Sequence, residues 1–304
     1  MMALKNKIKR LVIGAQNLPD WEETTVLDAD PLTARYHNRG LSRKKHQFKS
    51  VRSGGNPVYQ DVGIPYFHVP LNKCLSASLH LYGREHHHPF VHSIQSYLNG
   101  DRKKAETILL DFFKEFQPAT LYDFFNEAAY GRLSDSSSEL LKPIPEIIRN
   151  DTFEDTAFPW SWHPFPDRAE LFEKKRNNRL YFGPESDKGV KAEAERLFKL
   201  TDKINHEGYH NDFATPVEGY ILCDENGDYR FMIRRGKHRV AVLSALGYES
   251  ITATFVSGLP RGYDVPLMYQ WPKIKNKLWA EQDAITIIRL CFAGRGNPET
   301  KPAV

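Results

Sequence analysis

The chain has little cysteine and no long apolar run, and both absences limit the kind of protein it encodes. Its 304 residues include three cysteines, Cys74, Cys223 and Cys291, which are far apart and form no CxxC pair. Such sparse thiols argue against a disulfide framework or a zinc ribbon and fit a reducing compartment, so we expect a cytoplasmic location. No apolar run approaches the ~20 residues that cross a bilayer, so we expect no membrane span.

The chain also has little excess charge. Its 42 lysines and arginines against 38 acidic residues give a net charge of +4, which does not by itself indicate a nucleic-acid partner. The glycine fingerprint of dinucleotide-binding folds is missing after residues 8–13, which predict an opening strand. A hydrophobic fraction of 40% is ordinary for a folded globular protein.

The most informative segment is a basic turn between a predicted strand and a predicted helix. Residues 229–233 alternate in the manner of a strand, and residues 240–246 form a short helical pattern that ends at Gly247. Between them stands Arg234-Arg235-Gly236-Lys237-His238-Arg239. A helix N-terminus presents N–H groups and a partial positive charge, and Gly236 lets the backbone approach a ligand closely. The turn therefore predicts an anion site suited to phosphate, with a solvated turn or a contact to a nucleic-acid backbone as alternatives.

The spacing of this turn resembles that of the ParB/sulfiredoxin-like superfamily. The resemblance rests on Gly236-Lys237-His238-Arg239-Val240-Ala241 with Gly247 downstream, and it covers about residues 183–257. The flanking pattern also fits, with a helix over 193–206, a strand over 216–222, a hairpin turn at 224–228 and a last strand over 250–256. The free serine kinase branch of the superfamily is the nearest. The resemblance implies a C-terminal nucleotide-binding unit.

The resemblance also implies which residues bind the phosphates of ATP or CTP. These are Arg235, Gly236, Lys237, His238 and Arg239. Lys237 stands where sulfiredoxins carry their cysteine, so repair of cysteine sulfinic acid is not expected. Arg235 stands where the kinase branch carries an aspartate, so a catalytic carboxylate must come from elsewhere.

Carboxylates ahead of the predicted helix are the first candidates for that role. The kinase branch uses a glutamate in this position, which makes Glu185 and Asp187 the expected catalytic residues. Asp187 is equally suited to be a helix N-cap. Asp212 and Glu218 are weaker candidates, and Glu218 is more typical of an outward-facing strand residue.

Together these features predict a nucleotide-dependent phosphotransferase, a small-molecule kinase that uses ATP or CTP with Mg²⁺. The acceptor would be a hydroxyl of an amino acid or of a sugar in cell-surface polysaccharide assembly. Glu185 or Asp187 would orient that hydroxyl or hold the metal, and His238 would act as a donor rather than a base, because its cationic neighbours favour its neutral form. Two alternatives remain open. One is a regulatory module that binds CTP or ATP without transfer, and the other is a partition-type DNA-binding protein, against which no helix-turn-helix pattern follows the motif.

The overall organisation is predicted to be α+β with two parts. Residues 1–165 would be a mainly helical region that serves as a substrate or cap domain, and residues 166–304 would form the nucleotide-binding domain with a C-terminal helix. Helices are predicted over 89–97, 103–116, 121–129 and 280–292. The aromatic and proline-rich segment 158–166 marks the boundary, and a packed linker is favoured there over the wall of a ligand site. The sequence leaves the oligomeric state open.

A cluster of histidines precedes the first of these helices. His86, His87 and His88 are consecutive, with His80 and His92 nearby. Three adjacent side chains do not converge easily on one ion, so no metal site is predicted. Contact of one histidine with an anionic substrate is an alternative to no role at all, and His88 is the most constrained because proline follows it.

Overall fold

The structure is a computed structural model. It describes residues 26–27, 49–53, 56–60, 66–126, 133, 137, 140–144, 157–161, 181–209, 216–256 and 260–295, of which the first three ranges are described by their backbone alone. The predicted strand over residues 8–13 and the candidate carboxylate Asp212 lie outside the described residues.

The described elements are both strands and helices, which confirms the α+β class. The strands are β1 Val26–Leu27, β2 Lys49–Ser53, β3 Asn56–Gln60, β4 Tyr66–Pro70, β5 Cys74–Leu75, β6 Val217–Cys223, β7 Tyr229–Arg235, β8 Ser250–Phe255 and β9 Gly262–Asp264. The α-helices are α1 Pro89–Leu98, α2 Arg102–Glu115, α3 Leu121–Asn126, α4 Asp187–Glu207, α5 Lys237–Ala245, α6 Pro272–Lys275 and α7 Glu281–Ala293. Short 3₁₀ helices cover Leu71–Lys73 and Val265–Gln270.

One mixed sheet of seven strands forms the centre of the fold. Its order is β1-β4-β8-β6-β7-β5, and β9 pairs with β6 beyond the point where β8 ends. The pair β6–β7 is the predicted hairpin, closed by a turn in which Asp224 N–H donates to the Asp228 carbonyl at 2.9 Å. Strands β2 and β3 form a separate antiparallel pair.

The central sheet takes strands from both sides of the predicted boundary at residue 165. Strand β4 pairs antiparallel with β8, and β5 pairs parallel with β7. The N-terminal part thus contributes strands as well as the three helices α1 to α3. Division of the chain into two domains stays a prediction, and the hydrogen bonds of this sheet join the two parts.

Each face of the sheet is covered by helices. On β7, Phe231 and Ile233 belong to one buried cluster, whereas Met232, between them, belongs to the other. The first cluster includes side chains of α1, α2, α4 and α5, and the second includes side chains of α3, α6 and α7. This period of two along the strand produces three layers, helix on sheet on helix.

The aromatic segment at the predicted boundary is packed into the second cluster. Trp160 is buried, stacks on Phe158 with ring centroids 4.9 Å apart, and donates from Nε1 to the Tyr220 hydroxyl at 3.0 Å. This arrangement confirms a packed segment for residues 157–161. Within the described ranges, no helix has the length and apolar character that crossing a membrane requires.

Candidate functional site

The predicted strand–glycine–helix turn is present. Strand β7 ends at Arg235, α5 begins at Lys237, and Gly236 between them has φ +91°. A Cβ at this position would lie 3.0 Å from Arg239 Nη2 and 3.0 Å from Val217 Cγ2. Because residues that carry a Cβ rarely adopt this backbone conformation, the turn requires glycine.

The N-terminal end of α5 is suited to an anion. No side chain of the described residues caps it, and its first helical hydrogen bond runs from Val240 N–H to the Gly236 carbonyl at 3.1 Å. The N–H groups of Lys237, His238 and Arg239 precede that bond and lie where the helix dipole is positive. A phosphate oxygen at this end would be stabilised by both effects.

Two arginines flank the turn. The Arg239 guanidinium lies close to Gly236 and donates from Nη2 to the Pro216 carbonyl at 3.3 Å. Arg235 pairs with Glu218 on the neighbouring strand, with Nη1 and Oε2 3.2 Å apart. Glu218 is thus more than an outward strand residue, because its largely buried carboxylate borders the basic turn.

A second carboxylate, Glu193, contacts the turn directly and was not among the predicted site residues. Its side chain on α4 is 3% exposed, and Oε1 accepts a hydrogen bond from His238 Nε2. Its other oxygen accepts from Arg196 Nη1 at 3.1 Å. Burial raises the pKa of Glu193, but the hydrogen bond from His238, with the charges of Arg196 and Lys237, outweighs it and holds the pKa below its usual value. Glu193 is therefore an ionised, buried carboxylate.

The sequence carried a signal for Glu193. The residues Val190, Ala194 and Leu197 form an apolar stripe on α4, and Glu193 falls on the same stripe at helical spacing. A carboxylate on a buried helix face is expected to have a partner. That partner follows 45 positions later in the chain, so the spacing alone did not identify it.

The Glu193 contact changes the role expected of His238. When Nε2 donates to a carboxylate, the lone pair of a neutral imidazole is on Nδ1. No residue in the described part of the chain hydrogen-bonds to Nδ1, and the ring stacks on Phe90 with centroids 5.8 Å apart. A carboxylate that fixes a histidine tautomer beside an anion site is the arrangement of a general base, whereas the sequence favoured a donor.

The predicted catalytic carboxylates Glu185 and Asp187 lie at the start of α4. Ser186 is the N-cap, since its Oγ accepts from Gly189 N–H at 3.1 Å, so Asp187 is the first helical residue rather than the cap. Glu185 Oε1 accepts from the Ser186 backbone N–H at 2.9 Å. Within the described residues neither carboxylate contacts positions 235–239, so their catalytic role stays a prediction, while Glu193 and Glu218 do contact the turn.

Replacing Gly236 by alanine is expected to destabilise the fold. The positive φ costs an alanine roughly 1–2 kcal/mol, and the added Cβ meets close neighbours as well. The matched control is Gly227→Ala, where φ is +82° but nothing lies within 4 Å of the added Cβ. Urea unfolding should show that Gly236→Ala lowers the free energy of unfolding more than Gly227→Ala does. If Gly236→Ala lowers it no more than the control, the turn accommodates the added Cβ without cost.

The chain gave no match in comparisons with protein-family models, with curated proteins or with solved structures. The resemblance to the ParB/sulfiredoxin-like superfamily therefore stays a prediction that rests on the residues of the turn.

Proposed function

We propose that the chain is a nucleotide-dependent phosphotransferase that moves a phosphoryl group from ATP or CTP to a hydroxyl of a small substrate, such as an amino acid or a sugar, in the cytoplasm. One observation carries the proposal: the N-terminus of α5, entered through Gly236 and uncapped by any described side chain, lies beside the pair that the buried Glu193 forms with the partly exposed His238. The first element suits phosphate and the second suits proton removal, which are the two requirements of transfer to a hydroxyl.

The phosphate-binding part of the site would be the turn itself. Backbone N–H groups of residues 237–239 would hold phosphate oxygens, and Arg239 would add charged donors, since only its Nη2 is used by the Pro216 carbonyl. Negative charge that develops on the transferred group would be stabilised by these donors without rearrangement.

The chemical step would use His238 as a base. As the acceptor oxygen forms a bond to the γ-phosphorus, its proton moves to His238 Nδ1, and Glu193 stabilises the resulting imidazolium. The bond from the γ-phosphorus to the bridging oxygen breaks, and the nucleoside diphosphate leaves. Phe90, stacked on the imidazole, limits rotation of the ring.

Magnesium is expected to enter with the nucleotide. The described residues include no group of three or more His, Cys, Asp or Glu side chains placed to hold a metal ion. Mg²⁺ often keeps several waters and takes one or two protein carboxylates together with substrate phosphates. Glu218 beside the turn is suited to such a role, which would compete with its ion pair to Arg235.

A regulatory module that binds the nucleotide without transfer is the second candidate. The residue before Gly236 is Arg235, where the resembled kinases have an aspartate, and its guanidinium pairs with Glu218. No carboxylate therefore occupies that position. Binding of the nucleotide would then act through a change of shape rather than through chemistry.

Arg239→Ala is expected to weaken nucleotide binding ~10- to 100-fold, because charge-assisted hydrogen bonds to phosphate are lost. The measurement is a thermal-shift panel of ATP, CTP, GTP and UTP with and without Mg²⁺. At a ligand concentration a hundred times Kd the native state gains ~2.7 kcal/mol, which raises Tm by several degrees. The control is Arg289→Ala, an exposed arginine on α7, which should respond like the wild type. If no triphosphate shifts the wild type, the turn is not a nucleotide site.

A further inference from the structure

Glu218, the second residue of β6, is a largely buried carboxylate beside the turn that has spare capacity to accept hydrogen bonds. Its side chain is 13% exposed, and one nitrogen of Arg235 contacts both oxygens, with Nη1 3.3 Å from Oε1 and 3.2 Å from Oε2. Within the part of the chain that the structure describes, no other group donates a hydrogen bond to Glu218. An ionised carboxylate has about four acceptor positions, so several of them remain for a ligand or for water.

An irregularity in the sheet brings this carboxylate to the turn. Along the β6–β7 pair, Glu218 is opposite Arg235, whereas Gly219 is opposite Ile233, so β7 has one extra residue at this point. A β-bulge of this kind bends the strand, re-aims a side chain and is common next to active sites. Because Arg235 directly precedes the glycine of the turn, its partner Glu218 lies next to the proposed phosphate site.

The side chains around Glu218 favour an uncharged ligand over a second cation. Arg235 already pairs with the carboxylate, and the Arg239 guanidinium lies close to Gly236. Another neighbour is the Tyr66 phenol, whose pKa is raised by burial and then by the charge of Glu218, so it is protonated and uncharged. A metal ion or an ammonium group would have to displace the Arg235 guanidinium or lie beside it, which like charge disfavours. A hydroxyl brings no charge and donates to an open acceptor position.

We propose that Glu218 accepts hydrogen bonds from the ribose hydroxyls of the nucleotide whose phosphates occupy the turn, while Arg235 holds the carboxylate in place. The presence of the nucleotide itself rests on the proposed function. Ribose is the part of a nucleotide that adjoins the phosphates, and its 2′ and 3′ hydroxyls are adjacent uncharged donors suited to one carboxylate. The first residues of β6 would then distinguish ribonucleotides from deoxyribonucleotides.

The test is calorimetric titration of the full chain, with and without Mg²⁺, using ATP, CTP and the 2′-deoxy and 3′-deoxy forms of each. In the wild type, removal of the bound hydroxyl should weaken binding about tenfold, because a hydrogen bond to a charged group is lost. In Glu218→Ala the two forms should bind equally. The ratio of the two affinities is the readout, because removal of a negative charge beside the turn also favours the phosphates.

The matched control is Glu225→Ala, which removes an exposed glutamate at the opposite end of the same hairpin and should keep the wild-type ratio. Three results would overturn the proposal. They are equal affinities for all forms in the wild type, a preference for ribose that persists in Glu218→Ala, and a loss in Glu218→Ala that is equal for all forms and requires Mg²⁺. The last would mean that the carboxylate holds the metal. Circular dichroism shows whether each variant is folded, and the wild-type comparison tests the proposal without a variant.

Failure of this inference is distinguishable from failure of the proposed function. If ribonucleotides and deoxyribonucleotides bind equally well, only the ribose contact is wrong. If the preference for ribose depends on Glu218 but no acceptor is phosphorylated, the ribose contact stands and the phosphotransferase does not. If no nucleotide binds, both are wrong, whether or not inorganic tripolyphosphate binds to the turn.

Discussion

His238→Gln is expected to slow phosphoryl transfer by about 10²–10⁴-fold, the range that a positioned general base contributes. The substitution keeps the backbone N–H at the start of α5, so nucleotide affinity should change only a few-fold. Glu193→Gln should also lower the rate, by at least about tenfold, because an amide does not stabilise the imidazolium. The measurement is release of nucleoside diphosphate with Mg²⁺ and a panel of small hydroxy acids and sugars as acceptors, with affinity measured separately by thermal shift.

Glu185→Gln and Asp187→Asn are the matched controls for this experiment. Both carboxylates lie at the N-terminus of α4 and contact no described residue of the turn, so transfer should persist in each variant. If either abolishes transfer while His238→Gln does not, the base is at the start of α4 and the Glu193–His238 pair is structural. If a triphosphate binds to the wild type and no acceptor supports turnover, the regulatory module is the better description.

Acidification from pH 6.5 to pH 5 is expected to destabilise the protein by ~2 kcal/mol through His88 alone. Its pKa is about 3 in the folded state, because of burial and then of the His92 charge, and ~6.5 when unfolded. Between these values the unfolded chain binds more protons, so the free energy of unfolding rises with pH and falls on acidification. Burial also lowers the pKa of His80, which acts in the same direction.

Above pH 5 the change of stability with pH comes from the histidines and not from the paired carboxylates. Glu193 has a lowered pKa, so its stabilising contribution is present above its unfolded value and is lost only as pH falls below ~4.3. Urea unfolding at several pH values between 5 and 7.5 measures how steeply the free energy of unfolding changes with pH. His88→Phe should be less sensitive to pH than the wild type over this range. An unchanged slope would mean that His88 is not the buried neutral group described.

Local sequence patterns were sufficient to predict the turn and most of the helices around it. The strand ahead of Gly236 and helices α1, α2 and α7 all follow from spacing within about a dozen residues. The positive φ of Gly236 was not predicted. The helix that begins at Asp187 was predicted to begin at position 193, because the Ser186 cap lies ahead of the apolar stripe.

Long-range pairing was the part that the sequence did not reveal. Strands β4 and β5 are five and two residues long, too short to give a clear alternation, and they pair with strands more than 150 positions away. The same limit applied to Glu193 and His238, which local spacing does not connect. The proline after His88 marked this residue as the most constrained of the histidines, and its contact with an anion stays a prediction.

The central sheet pairs β4 and β5 with strands that come much later in the sequence, and this affects the chain while it is being synthesised. Strand β5 pairs Cys74 with Phe231, and β4 pairs Phe67 with Ala253. At typical rates of translation their partners are made roughly ten seconds or more later, and pairings so distant in sequence form slowly. Until then the edges of β4 and β5 lack these partners and are vulnerable to association with other chains. Because His238 comes from the late segment while Phe90, which stacks on it, comes from the early one, a nascent chain has no complete site until residue 238 has been made.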